Sequence, residues 1–282
     1  MTARPHKLFD HQILGYFILF IFAEIMISLG GIIDNAISGF IPGYAVEITV
    51  SGQTIKNAMG IGNAVGALAA VAIFKLWFRP DFRGCLGRKY LRTGLLMMLP
   101  FLLLHYIGSA VSWFTGGTGS VIFAFLRALS PGFGEEVAFR GLGIANFMRT
   151  IKSEKQIKTI FWLSSIFFGL FHLMNIFAGG DPVSSAFQAV YAIGVGMMFG
   201  AVYLRTGNLW PVMIGHMSLD FLELVRGDLG ATVVMKSLSV GDWITMAAAV
   251  VGAVLALRLI SPDHYPEIIA LWNEKWSGNS GE

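Results

Sequence analysis

The stretch Val121-Ile-Phe-Ala-Phe-Leu-Arg-Ala-Leu-Ser-Pro-Gly-Phe-Gly-Glu-Glu-Val-Ala-Phe-Arg140 decides how this chain is read. It is long and apolar enough to cross a bilayer, yet it carries Glu135, Glu136 and Arg140. A charge at membrane depth costs about 2.5–3.5 kcal/mol on insertion scales, so such groups persist where they are paired and useful. Glu136 and Arg140 stand at i and i+4 and share a helix face, so they can neutralise each other and brace the helix. Glu135 is turned by about 100° from Glu136 and is expected to project into a polar cavity. A carboxylate there is tuned by burial and by neighbouring charge, and it suits a general base. The plainer reading of the three charges is a structural network between helices.

Composition sets the solvent. Of 282 residues, 55% are hydrophobic and only 13% are charged, where a soluble domain has about 25% charged residues. With a mean hydropathy of +0.67, too few charges remain to solvate a globular surface, and lipid is the expected surrounding. The single cysteine, Cys85, excludes an internal disulfide. The net charge of +3 is modest, and the basic residues cluster in short loops, which points to membrane topology and not to nucleic acid. The first apolar run begins near His11 and is too long for the core of a cleavable signal. No internal repeat is visible.

A spanning helix needs about 20 mostly apolar residues. About eight candidates follow, at roughly 11–33, 57–78, 93–114, 119–148, 157–178, 184–204, 208–226 and 241–260. The expected architecture is all-α, a polytopic membrane protein whose residues 1–282 form one transmembrane domain. Pro131-Gly132 predicts a kink or break in the fourth span. Pro211 falls in the first turn of the seventh, where proline is tolerated. The polar run from Asp34 to Lys56 reads as an extramembrane loop.

If the helices alternate, the cations gather on one side: Arg4, Lys7, Arg79, Arg83, Arg88, Lys89, Arg92, Arg149, Lys152, Lys155, Lys158 and Arg205. The opposite loops hold Asp34, Glu47, Asp181 and Asp228. The positive-inside rule then places both termini in the cytoplasm and the protein in the cell membrane.

Two further segments carry chemistry. On the fifth span, Phe167-Phe-Gly-Leu-Phe-His-Leu-Met-Asn175 places His172 and Asn175 at i and i+3 on one face. On the seventh, Ile214-Gly-His-Met-Ser-Leu-Asp220 places His216 and Asp220 at i and i+4, where the aspartate could fix one imidazole tautomer or keep the ring charged. Each pair alone fits a buried, hydrogen-bonded core group equally well. Carboxylate and imidazole groups converging from three spans form a catalytic or metal-binding constellation.

These residues also carry a resemblance. Glu135-Glu-Val-Ala-Phe-Arg140 resembles the EExxxR motif of the CAAX protease and bacteriocin-processing family. Phe168-Gly-Leu-Phe-His172 resembles its FxxxH motif, and His216-Met-Ser-Leu-Asp220 its HxxxN motif with Asp in place of Asn. The resemblance covers about residues 119–226, the expected catalytic core. It implies an intramembrane endopeptidase of the type II CAAX prenyl kind, hydrolysing a prenylated or other membrane-associated peptide without a covalent intermediate. Carried over by position, Glu135 with His172 would activate water. His216 and Asp220 would hold the tetrahedral intermediate, with Glu136, Arg140 and Asn175 in support. An ionised Asp220 would repel an oxyanion where an asparagine amide could donate to it, so an orienting role toward His216 is the expectation.

Other chemistries fit less well or stay open. No HExxH run exists for a zinc protease of the site-2 type. Gly227-Asp228 lacks the first glycine of an aspartyl-type site, and no serine lies in a GxSG context. The resemblance favours a mechanism without a cofactor. Glu135, His172 and His216 could alternatively hold Zn²⁺ with a fourth position for water. A proton-coupled transporter is a second class, with Glu24 as a further intramembrane acid. A non-catalytic membrane scaffold or immunity protein is a third.

Overall fold

A computed structural model describes residues 7–50, 53–78, 81–113, 121–177, 179–225 and 239–277. Arg4, Arg79 and Asp228, used above to orient the chain, lie outside the described residues. Each of the eight apolar segments is helical. They form α1 (Gln12–Ser38), α2 (Ile61–Trp77), α3 (Leu91–Trp113), and α4 (Val121–Glu136) continuing through a π-helical turn (Val137–Leu142) into α5 (Gly143–Met148). Then follow α6 (Glu154–Phe171) with a 3-10 extension (His172–Ile176), α7 (Pro182–Thr206), α8 (Leu209–Val225) and α9 (Val240–Leu259). The helices at Gln12–Ser38, Leu91–Val111, Glu154–Ile176, Pro182–Thr206 and Val240–Leu259 are long and apolar enough to cross a membrane; Ile61–Trp77 is apolar but shorter. The chain is a multi-pass, all-α membrane protein. The sequence spacing did not mark α10 (Tyr265–Trp276), an amphipathic helix after the last span.

Two expectations need correcting. The polar run from Asp34 to Lys56 is not wholly a loop. Asp34 is buried inside α1, and only beyond Ser38 does the chain leave the helix, forming an antiparallel hairpin of β1 (Ala45–Val50) and β2 (Gln53–Ala58). The reason lies at the start of α2. Asp34 accepts hydrogen bonds from the backbone N–H groups of Gly62 (2.9 Å) and Asn63 (3.2 Å) and from the Tyr44 hydroxyl. One carboxylate thus satisfies donors that the first turn of a helix leaves free. The approach is close because both helices are small there: a Cβ on Gly30 would collide with the Gly62 carbonyl, and one on Gly66 with the Met26 carbonyl.

The second correction concerns the fourth span. Of the kink or break expected at Pro131, the break does not occur, since α4 runs through it. The irregularity falls six residues later, as the π-helical turn Val137–Leu142. A π turn inserts one residue into the helical register and is found often at functional sites. Here it lies between the glutamate pair and α5.

The packing places α7 at the centre, flanked by α6 and α9, while α1 pairs with α2, α3 with α9 and α4 with α8. Outward-facing Ile21, Ile25, Leu29, Ile32 and Ile33 on α1 give that helix a lipid-facing stripe. The basic loops gather at one end of the bundle. Arg149 pairs with Asp10 (2.7 Å), Arg205 with Glu267 (2.8 Å), and Arg83 and Lys89 reach Glu274. α10 lies across that end, with Trp272 Nε1 donating to the Leu204 carbonyl and Trp276 Nε1 to that of Ala145, each at 3.0 Å. The hairpin and Asp34 occupy the other end.

Candidate active site

Glu136 and Arg140 pair as their spacing predicts, at 2.9 Å with both side chains fully buried. The pair is more than a self-neutralising brace. The same Glu136 Oε1 lies 2.7 Å from His216 Nδ1 across from α8. An ionised carboxylate only accepts, so Nδ1 carries a proton and donates to it. The tautomer question posed by the sequence is therefore decided by Glu136 at Nδ1, a partner from a different helix. Arg140 itself is enclosed by phenylalanines. Its guanidinium stacks 3.9 Å from the Phe168 ring centre, with Phe139 and Phe199 also within cation–π reach.

Glu135 occupies a different setting. Its side chain is 35% exposed, against none for Glu136. Its Oε2 lies 3.7 Å from His216 Nε2 and has no hydrogen-bond partner in the protein. Asp220 Oδ2 lies 3.2 Å from the same nitrogen. That contact is an ion-pair approach without hydrogen-bond alignment, because Oδ2 also lacks a hydrogen-bond partner. His216 is thus anchored through Nδ1, and it presents Nε2 between two carboxylates.

His172 closes α6. Its Nδ1 is 2.9 Å from the carbonyl of Phe168; a carbonyl only accepts, so Nδ1 carries a proton, and in the neutral ring Nε2 keeps its lone pair. The ring packs edge-on to Phe168 (centroids 4.9 Å apart), and Phe168 packs in the same manner against His216 (5.9 Å). Phe168 therefore separates and positions the two imidazoles while its ring carries Arg140. Spacing had identified its motif but not this role, since one phenylalanine among 23 carries no mark of which neighbours it will stack. Asn175 points elsewhere: its Nδ2 donates to Gln188 Oε1 on α7 at 2.9 Å, tying the 3-10 segment to the central helix.

Glu135, Glu136, Arg140, His216 and Asp220 are thus brought into one linked cluster. His172 borders it through Phe168 and has no ion pair with a described carboxylate. Among the described residues, no group of three or more His, Cys, Asp or Glu side chains is arranged to hold a metal ion, and Glu135, His172 and His216 do not form such a group. Cys85 is buried in the loop after α2, away from the cluster. One charged residue of the opening stretch went unweighed in the sequence. Arg127 lies eight residues before Glu135, a little over two turns along α4 and about 80° round from it, so spacing alone did not place it with the glutamate.

Residues 116–222 match the family model described as Rce1-like, type II CAAX prenyl endopeptidase Rce1-like. The matched stretch contains every motif residue named above, so the resemblance read from those motifs stands. The family it describes is one of proteases, that is, hydrolases acting on membrane-associated peptides. No curated protein and no solved structure matches the chain.

Proposed function

We propose that the chain is an intramembrane endopeptidase that hydrolyses a peptide bond near the C-terminus of a prenylated, CAAX-type protein or another membrane-associated peptide, using water activated by Glu135. The observation that carries this reading is the contrast at His216: Nδ1 is fixed by Glu136, while Nε2 faces Glu135, whose side chain is about one-third exposed and whose Oε2 has no hydrogen-bond partner in the protein. Glu135 takes a proton from water as the resulting hydroxide adds to the scissile carbonyl. His172, with Nε2 free as an acceptor, assists in orienting that water. His216, donating from a protonated Nε2, stabilises the oxyanion. The proton held by Glu135 then passes to the leaving amine as the C–N bond breaks. Asp220 holds the imidazole in place from 3.2 Å without itself meeting the oxyanion. The basic end of the bundle would face the cytoplasm of the cell membrane, and the cavity would open on that side.

The test is cleavage of a quenched fluorescent farnesylated CAAX peptide by the detergent-purified protein, with and without chelator. Wild-type turnover that resists chelation and falls by about 10²–10⁴ in Glu135→Gln supports the reading; that range is typical of a lost general base. Chelator-sensitive turnover restored by Zn²⁺ would instead assign metal chemistry. Turnover unchanged in Glu135→Gln would remove Glu135 from the mechanism. Peptides left intact by every form would favour the scaffold or transporter classes.

A further inference from the structure

We infer that Tyr16 and Tyr203 are positioning residues for the reaction: their hydroxyls hold the π turn that keeps Glu135 and Glu136 facing His216. This rests on the endopeptidase reading above and deepens it.

Neither tyrosine belongs to a motif, and both are fully buried. The Tyr16 hydroxyl, from α1, donates to the Phe139 carbonyl at 2.9 Å. The Tyr203 hydroxyl, from α7, donates to the Gly141 carbonyl at 3.1 Å. Both acceptors lie inside the π turn Val137–Leu142. A π turn departs from the regular i→i−4 ladder, and a buried carbonyl displaced from that ladder costs free energy unless a donor reaches it. Two hydroxyls from two different helices thus converge on one irregular turn. Each ring is fixed in its own place. Tyr16 packs edge-on to Phe17 and Phe167, and it fits because residue 143 is glycine, where a Cβ would collide with the ring. Tyr203 packs edge-on to Trp272 of α10, whose Nε1 donates to the Leu204 carbonyl.

The register depends on what is anchored on either side of the turn. Before it, α4 is held against α8, so closely that a Cβ on Gly132 would collide with the Met217 backbone. After it, Asn146 Nδ2 donates to the Phe9 carbonyl at 3.1 Å, and Trp276 Nε1 donates to the Ala145 carbonyl. The π turn takes up the one residue by which this stretch exceeds a regular helix. Were that residue taken up nearer the start of α4, Glu135 and Glu136 would rotate by about 100° about the axis. Glu136 would then leave His216 Nδ1, from which it stands 2.7 Å, and Glu135 would turn away from Nε2.

The experiment measures kcat, KM and melting temperature for Tyr16→Phe and Tyr203→Phe, beside Tyr44→Phe. Each change removes one hydroxyl and keeps the ring. Tyr44 donates to Asp34 at the hairpin end, so its variant should melt lower with kcat unchanged. Tyr16→Phe and Tyr203→Phe should each lower kcat by about tenfold to a hundredfold, as misplaced reacting groups do, with KM within about twofold of wild type. A second readout needs no turnover. The nitrogen NMR signal of His216 Nδ1 is followed in protein isotopically labelled at histidine, and it is identified by its loss in His216→Gln. It should move in Tyr16→Phe and Tyr203→Phe in the direction it moves in Glu136→Gln, and stay in place in Tyr44→Phe. A signal unmoved in both variants, or kcat unchanged in both while melting falls, would make the two tyrosines structural donors only and overturn the inference. Because the signal is read without turnover, a failure of the endopeptidase reading shows in the cleavage assay and a failure of this inference in the resonance.

Discussion

Glu135 and Glu136 are adjacent in the chain and sit in different media. Glu136 is dry, fully buried and shared between Arg140 and His216. Glu135 is about one-third exposed, and its Oε2 has no hydrogen-bond partner in the protein. The same carboxylate chemistry is directed by these surroundings to two ends. Under the proposed mechanism the enclosed group orients and holds, and the one-third-exposed one meets the reactant. A buried charge pair contributes little net stability when intact, because desolvation opposes the attraction, but removing one member leaves an isolated buried charge. The dry side should therefore fail as a folding defect and the wet side as a chemical one.

The sharpest way to break that division is Arg140→Ala. It strands Glu136 in a phenylalanine cage and should lower stability by about 3–5 kcal/mol, seen as reduced folded yield and a lower melting temperature in detergent. Normal yield and melting would show that the pair is not what holds this region.

A smaller loss is expected from Asp34→Ala at the hairpin end. It leaves the Gly62 and Asn63 N–H groups without their acceptor, an effect of about 1–3 kcal/mol. The melting temperature should fall, and one that does not move would show that water replaces the carboxylate there.

Asp220→Asn probes the wet side. The amide oxygen can still face His216 Nε2, so turnover should stay within about tenfold of wild type and melting should not change. A loss of a hundredfold or more would mean that the negative charge itself is required.

The smallest effect lies outside the membrane. Burial pushes the Cys85 thiol up from 9.0 to about 11. The folded form therefore holds its proton through a range where the unfolded chain releases it. The stability this contributes is complete below about pH 9 and is lost as pH rises through about 11. Iodoacetamide at pH 8 should leave Cys85 unlabelled in the native protein and label it after denaturation. Rapid native labelling would contradict its burial.

The apolar helices and the motif residues were legible because apolar runs and i, i+4 spacings are local properties of the chain, whereas α10 has no such run. The position of the π turn was not. Pro131 gave the stronger local signal for a break, yet α4 absorbs it, and Val137–Leu142 carries no glycine or proline before Gly141 to announce a wider turn. Asp34 was misplaced for a related reason. Acid near the end of an apolar run reads as exposed, and only the close crossing of α1 and α2 shows that it caps a neighbouring helix. The link from Glu136 to His216 joins residues 80 apart in sequence, and periodicity cannot foresee which helices will meet.

The division between the two glutamates is tested most directly by measuring turnover and melting temperature together for Glu135→Gln and Glu136→Gln. The account predicts that Glu135→Gln melts like wild type and loses most of its turnover, whereas Glu136→Gln lowers the melting temperature as well as the rate. A Glu135→Gln protein that keeps its turnover, or a Glu136→Gln protein that melts like wild type, would contradict it.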